Sequence, residues 1–340
     1  MVTMRALPHP TDGTPEDVRR CVVEYSEHPS IDLAFNAGNR YFRTGGIDGV
    51  IVFREAGGVL YQFAGPIAPS RDRDALLQSF IEFARREGRR VFGVQLRVED
   101  VERYRALGFR LNQMGSSYTL RLGDFSLRGH AFMRMRNKLK QPQRAGVEVV
   151  EFGREIPVTD EVRVRLDEIT AAWLRSKGRH VKLLEFLVGE NSSIDRGGSR
   201  CFAARRDKEI IAYITYVPSY GKYRGMMHDL TRRLPDAPPG TMELINWTAL
   251  MRFQEEGIDN LNFGFTPFVG MNAEVEGHSP AVSRVMRFLA EHGSAIYPSK
   301  AQEAYKTKWQ PTSIDPEYMA FQGRFRVSYL WHLLRVTRAV

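Results

Sequence analysis

Cysteine is nearly missing from this chain. Cys21 and Cys201 are the two in 340 residues, so neither a disulfide framework nor a CxxC redox or zinc pair is available. The eight histidines are scattered, with no HExxH and no paired-ligand spacing, and neither a metal site nor any other cofactor is expected. No run of about 18 apolar residues exists to cross a bilayer. The opening stretch MVTMRALPHPTDGTPEDVRR has no apolar core of the secretory kind. The expected setting is the reducing cytoplasm.

What is present is the composition of a globular protein of one or two domains: 43% hydrophobic, 26% charged, mean hydropathy −0.36. Lys and Arg number 49 against 40 Asp and Glu, giving +9 and an isoelectric point near 9.6. That balance admits polyanions as partners, either nucleic acid or an anionic lipid surface.

One order of elements occurs twice. Residues 50–65 read as two β-rich runs joined by Gly57-Gly58, followed by the proline-bearing loop GPIAPSRDRD. A helix then places Leu76, Leu77, Phe80, Ile81 and Ala84 at helical spacing and stops at Gly88. RRVFGVQL reads as a buried strand, a short helix covers 99–107, and SSYTLRL is strand-like. At an offset of about 170 residues, IIAYITYVPSYGKYRGMMHDL repeats strand, turn and strand, and RRLPDAPPG repeats the proline-rich loop. A helix from Thr241, taken as its N-cap, to Gly257 and the strand IDNLNFGF complete the set.

Two further segments carry charge. SLRGHAFMRMRNKLKQPQRAG, 126–146, holds Arg128, Arg134, Arg136, Lys138, Lys140 and Arg144 and no acid. Its apolar residues fit both helical and period-two spacing, so helix and strand stay open, and Pro142 is expected to end or kink a helix. Each base there can neutralise a backbone phosphate regardless of sequence, and a solvated linker face is the ordinary alternative. The C-terminal RFRVSYLWHLLRVTRAV is amphipathic, with Phe325, Tyr329, Leu330, Leu333 and Leu334 apolar against Arg324, Arg326, Arg335 and Arg338. It suits either docking on its own protein or an anionic membrane surface.

The repeated order resembles the acyltransferase domain of the GCN5-related kind, and YRALGF (Tyr104, Gly108, Phe109) looks like that fold's late helix-to-strand turn. The fold class expected is α/β: tandem GCN5-related acetyltransferase-like domains, each a mixed sheet flanked by helices. The boundaries expected are 1–125 for the first domain, 126–146 for the basic connector, 147–322 for the second domain with the catalytic loop, and 323–340 for the C-terminal amphipathic helix.

DLTRRLPDAPPGTM (229–242) closely resembles the Asp-Leu-Met-Arg…Pro-Asp-Ala-Pro-x-Gly-x-Met stretch of the lysylphosphatidylglycerol synthetase catalytic domain. LNFGFTPF (261–268), AWLRSKGRHVKLLEFLVGE (172–190), the connector, and AYKTKWQP…EYMAF (304–321) resemble other segments of that family, in order, from about residue 30 to the end. The resemblance implies transfer of an aminoacyl group from aminoacyl-tRNA, the partner that suits the basic connector. The acceptor it implies is phosphatidylglycerol or, as in a smaller branch, a soluble hydroxylamine- or amine-type precursor in antibiotic biosynthesis. It also implies Asp229 and Arg232 as the acid and arginine needed for activity. Asp229 would hold the donor's α-ammonium or help deprotonate the acceptor, and Arg232 would bind phosphate or transition-state charge.

Arg233, Gly264, Thr266, Lys306 and Lys308 are candidate substrate contacts, and Arg134, Arg136, Lys138, Lys140 and Arg144 candidate tRNA contacts. The family's best-known members fuse this domain to a membrane-embedded flippase that this sequence lacks, so the lipid acceptor and the soluble one stay open. Peripheral contact with the inner face of the cell membrane is expected to run through the C-terminal helix. An acyl-CoA donor is the alternative, but no Arg/Gln-x-x-Gly-x-Gly/Ala loop enters a helix. A non-catalytic tRNA- or lipid-binding module would need the bases but not the Asp229/Arg232 pair. AGPIAPSRD in the first half lacks that pair, so catalysis is expected in the second domain and the gap between the halves.

Overall fold

The computed structural model describes residues 14–177, 186–292 and 299–338. Eleven strands among them form one sheet: β1 (Arg40–Phe42), β2 (Val50–Ala56), β3 (Val59–Ile67), β4 (Arg90–Leu96), β5 (Phe109–Arg121), β6 (Glu148–Glu151), β7 (Arg200–Arg206), β8 (Glu209–Ser219), β9 (Gly225–Arg233), β10 (Asn260–Pro267) and β11 (Ser313–Gln322). The lateral order is β1-β2-β3-β4-β11-β5-β10-β9-β8-β7-β6. The helices are α1 (Pro15–Tyr25), α2 (Arg73–Arg86), α3 (Val101–Ala106), α4 (Met133–Arg144), α5 (Asp160–Lys177), α6 (Thr241–Glu255), α7 (Pro280–His292), α8 (Ser299–Thr307) and α9 (Val327–Val336).

The expected duplication is visible in the pairing. β2 and β3 form an antiparallel hairpin, α2 crosses over, and β4 returns parallel to β3. β8 and β9, α6 and β10 do the same. The halves do not form separate sheets, however. β5 pairs antiparallel with β10, and β11 enters antiparallel between β4 and β5. That last strand, counted with the second half on sequence, thus completes the first half's sheet.

Side-chain alternation along the strands divides the core into two layers. In β11, Tyr318 and Ala320 join the cluster under α2 and α3, while Met319 and Phe321 join the cluster under α1, α7 and α9. In β8, Ile214 and Tyr216 lie under α4, α6 and α8, and Tyr213 lies under α5. α2, α3, α4, α6 and α8 therefore cover one face, and α1, α5, α7 and α9 the other. α2 docks through Leu76, Leu77, Phe80 and Ala84, all fully buried. Burying Phe80 alone contributes on the order of 1.5–3 kcal/mol.

Local details depart from the sequence expectations in four places. α1 begins as propensity dictates, with Pro15 at its first position and the Thr14 hydroxyl accepting from the Asp17 N–H at 3.2 Å. α6 does not: its N-cap is Gly240 at φ 89°, and the Thr241 hydroxyl turns back to the Pro238 carbonyl at 2.7 Å. Gly240 is needed because a Cβ there would overlap the Lys138 carbonyl of α4. The connector is a helix, and Pro142 sits inside it without ending it. Its missing N–H leaves the Lys138 carbonyl without its helical donor, and the helix ends two residues later at Arg144. β5 starts seven residues before the expected SSYTLRL, at Phe109, and β11 pairs along its whole length. The described part of the C-terminal segment is helical over Val327–Val336 rather than over all of 323–340.

Candidate active site

Asp229 and Arg232 are three apart on β9, a spacing that puts side chains on opposite faces of a regular strand. A bulge prevents this. Ile214 pairs with Thr231 and Tyr216 with His228, so Asp229 and Leu230 together stand opposite the single Thr215. The Thr215 hydroxyl accepts from the Leu230 N–H at 3.0 Å and reaches the Asp229 carboxylate at 3.4 Å, bracing the extra residue. Beyond the bulge the alternation is inverted. Arg232, paired with Tyr213, joins Asp229 on the face covered by α5, while His228 and Thr231 turn to the α6 and α8 side, where they bond each other at 3.0 Å.

Asp229 is partly open to solvent in a dense surrounding. The fully buried Ser193, from the 3₁₀ turn Asn191–Asp195, donates to its carboxylate at 2.7 Å. Gly189 leaves the room: a Cβ there would overlap the Asp229 carboxyl group. Burial pushes the Asp229 carboxyl up to about 6 and the negative charge of Asp32 adds to this, against Ser193, Arg196 and Arg232. Asp32 comes from the first half, in the turn Ile31–Phe35. It is bridged by Arg196 at 2.6 Å, whose second Nη is donated to Asn36 at 3.0 Å. The site is therefore walled by both halves of the chain.

Arg232 is buried, with its guanidinium 4.3 Å from the centre of the Trp173 ring of α5 and one Nη donated to the Thr231 carbonyl at 3.0 Å. Its Nε has no hydrogen-bond partner. Burial lowers its basicity, Tyr213 and Asp229 opposing. A buried guanidinium with an unmatched donor can bond an anionic oxygen.

The other sequence candidates lie elsewhere. β9 and β10 pair in parallel from Gly225 and Asn260 to Met227 and Asn262, then separate. Gly264, at φ 65°, forms the bulge of β10 in its pairing with β5. Lys306 of α8 is buried and reaches into this gap from the α6 side, donating to the Gly264 carbonyl at 2.9 Å and the Phe265 carbonyl at 3.0 Å. Burial lowers its ammonium to about 7, opposed by Glu317. It satisfies the bulge's carbonyls rather than standing free at the surface. Thr266 is fully buried on the α6 side with an unpartnered hydroxyl. Lys308 is ion-paired with the buried Glu243 of α6. Arg233 is exposed, on the opposite face from Asp229.

The connector bases are not equivalent. Arg134, Lys140 and Arg144 are exposed. Lys138 shares Glu243 with Lys308, at 2.7 Å, so the acid missing from the connector's own sequence is supplied by α6. Arg136 donates to the carbonyls of Leu127 and Gly129 at 2.5 and 2.7 Å and caps its own turn.

Sequence reasoning did not single out Ser193, Thr215, Gly189, Trp173, Asp32 or Arg196. Trp173 and Gly189 fall within the family-like segment 172–190, which was the available signal. Residues 178–185 of that segment lie outside the described residues. The rest are joined to Asp229 only by tertiary contact. Among the described residues no group of three or more His, Cys, Asp or Glu is placed to hold a metal ion, and no helix is long and apolar enough to cross a membrane.

Comparison with known proteins agrees with this architecture. A phosphatidylglycerol lysyltransferase of Staphylococcus aureus (strain COL) is 21% identical over 329 residues, 96% of this chain and 37% of that protein. One from Staphylococcus epidermidis (strain RP62A) is 22% identical over 323 residues, 94% of this chain and again 37% of the relative. The chain thus spans little more than a third of these relatives. Among solved structures, L-PGS from Bacillus licheniformis superposes with a TM-score of 0.76 at 20% identity, covering 96% of this chain and 98% of that one. FemX superposes at 0.56 and 11% identity, over 96% and 99%. At such identities these likenesses speak for the fold alone. The sequence matches the family described as phosphatidylglycerol lysyltransferase, C-terminal, over residues 19–321, and the chain belongs to that family.

Proposed function

We propose that this protein is an aminoacyltransferase that moves an aminoacyl group from aminoacyl-tRNA to an acceptor hydroxyl, with phosphatidylglycerol as the acceptor. The observation that carries the reading is the bulge that gathers Asp229 and Arg232 onto one face between the halves. The S. aureus and S. epidermidis relatives are named for lysyl transfer to phosphatidylglycerol, which favours the lipid acceptor.

An aminoacyl-tRNA ester is already activated, so the protein has mainly to position the hydroxyl and stabilise charge. In the proposed step Asp229, ionised above about pH 6, takes the proton of the acceptor hydroxyl as its oxygen attacks the ester carbonyl carbon. Arg232 faces the oxyanion of the tetrahedral intermediate. The intermediate collapses by breaking the bond to the tRNA ribose oxygen, which recovers the proton from Asp229. One ester is exchanged for another, and no cofactor is consumed.

An acyl-CoA donor is less well supported. The loop entering α6 carries Pro235, Pro238 and Pro239, which have no N–H to offer pyrophosphate. Glu243 occupies the helix's first turn, and Gly240 is packed on α4.

The test is a transfer assay with purified protein and a pool of labelled aminoacyl-tRNAs, offered phosphatidylglycerol or a soluble hydroxylamine or amine acceptor. Label moving into the lipid from one tRNA, and lost in Asp229→Ala and Arg232→Ala, is the expected outcome. Transfer only to the soluble acceptor would overturn the lipid acceptor. Transfer from acyl-CoA alone would overturn the donor.

A further inference from the structure

α9 is apolar on two opposite sides. Its inner side is docked: Tyr329 is buried, its carbonyl accepts from the Tyr61 hydroxyl at 2.8 Å and its own hydroxyl accepts from Arg90 at 3.0 Å. Leu333, Val336 and the preceding Phe325 pack with it on the core. The outer side holds Val327, Leu330, Trp331 and Leu334, spaced i, i+3, i+4 and i+7 as one stripe. Val327 is 79% and Trp331 53% exposed, and Leu330 and Leu334 are half-buried. The single apolar face expected from the sequence is thus split. Tyr329 and Leu333 serve the fold, and a different set points outward.

A surface helix that keeps an apolar stripe facing water has a contact left to make. Its chemistry is given by the charges around it. Arg324, Arg326 and Arg335 are exposed, and no Asp or Glu occurs from Tyr318 to Val340. Tryptophan on such a stripe suits a boundary that is apolar on one side and wet on the other. On α7, over the same face of the sheet, Phe288 is also exposed.

We propose that the outer stripe of α9 lies on an anionic bilayer, with Val327, Leu330, Trp331 and Leu334 at the acyl boundary and Arg324, Arg326 and Arg335 against lipid phosphates. The proposal rests on the lipid-acceptor reading, since it brings the protein to the surface where that acceptor resides.

The experiment is flotation of the full chain with phosphatidylcholine vesicles, with and without phosphatidylglycerol. Wild type floats with the phosphatidylglycerol vesicles. Val327→Ser combined with Trp331→Ser lowers partitioning roughly ten-fold or more. Replacing the three arginines by glutamine lowers it about five-fold for each. Both variants keep the wild-type circular dichroism spectrum, because the inner side is untouched. Equal flotation of folded wild type with and without phosphatidylglycerol would overturn the proposal. So would a concentration-dependent dimer, lost in the serine variant, from protein that ignores vesicles, which would give the stripe to a second copy. Vesicle binding without aminoacyl transfer supports docking and sinks the lipid-acceptor reading. Transfer to micellar phosphatidylglycerol without vesicle binding does the reverse.

Discussion

Both halves of the molecule open their sheet between a parallel strand pair, and they fill the opening differently. In the first half β3 and β4 pair from Val59 and Arg90 to Phe63 and Val94, then pass through positive φ at Ala64 and Gln95, 54° and 53°. In the second half β9 and β10 separate after Met227 and Asn262, with Gly264 at φ 65°. The first opening is stopped by the protein itself. Asp100 presses on Gly65 where any Cβ would collide and accepts from the Arg97 N–H at 3.3 Å and from Arg103 at 2.8 Å. His28 donates Nε2–H to the Gln95 carbonyl at 2.9 Å and accepts the Ser30 N–H on Nδ1 at 3.1 Å. That tautomer is neutral, as burial requires, with its basicity lowered to about 3. What remains is a cavity of about 40 Å³.

The second opening keeps Asp229 partly open to solvent, with Ser193 and Thr215 as its near partners. Backbone geometry opens the sheet in each half, and side chains decide whether the opening is filled. An acid bonded to its own loop is structural. An acid left with free lone pairs beside an undersatisfied arginine is available for chemistry.

The largest break in this contrast is expected from Asp229→Ala and Arg232→Ala, each lowering kcat for transfer about 10²–10³-fold. Asp100→Asn, its first-half counterpart, should lower thermal stability and leave kcat of the folded protein unchanged. Equal kinetic losses from both would end the distinction.

Gly189→Ala should cost activity nearly as much, roughly 10²-fold, because it displaces the Asp229 carboxyl group. Gly65→Ala displaces Asp100 instead, and should show in melting temperature rather than in kcat.

The pH profile sharpens the comparison further. Transfer is expected to rise with an apparent pKa near 6, and Asp229→Asn should remove that step. The stability sign follows from the same shift. A carboxyl whose folded value lies above its ordinary 3.8 binds more protons folded than unfolded between those values. Its contribution to the fold is therefore full below pH 3.8 and lost as pH rises through about 6. Asp229→Asn should then stabilise the protein relative to wild type above pH 6, and less so on acidification, as read by melting temperature across pH.

A smaller effect is expected from Lys306→Met, which leaves two carbonyls at the β10 bulge without their donor. A loss of about 1–3 kcal/mol in denaturant unfolding is the expected cost. The smallest is Tyr61→Phe at the α9 dock, about 1 kcal/mol.

The elements and their repetition were legible in local sequence. Runs of β-branched residues broken by Gly57 and Gly58, helical spacing from Leu76 to Ala84, and terminators at Gly88 and Gly257 are local signals, set by sterics and by periodicity over a few residues. The resemblance of DLTRRLPDAPPGTM also singled out Asp229 and Arg232 as candidates. The tertiary structure alone decided that β11 completes the first half's sheet, because strand order is a choice among distant partners. It decided that Asp229 and Arg232 share a face, because the bulge is braced by Thr215, fourteen residues away in the chain. It turned Lys138 and Lys308 toward Glu243 and Lys306 toward backbone carbonyls. Whether a charge is free or paired depends on what folds beside it, and no window of sequence contains that neighbour.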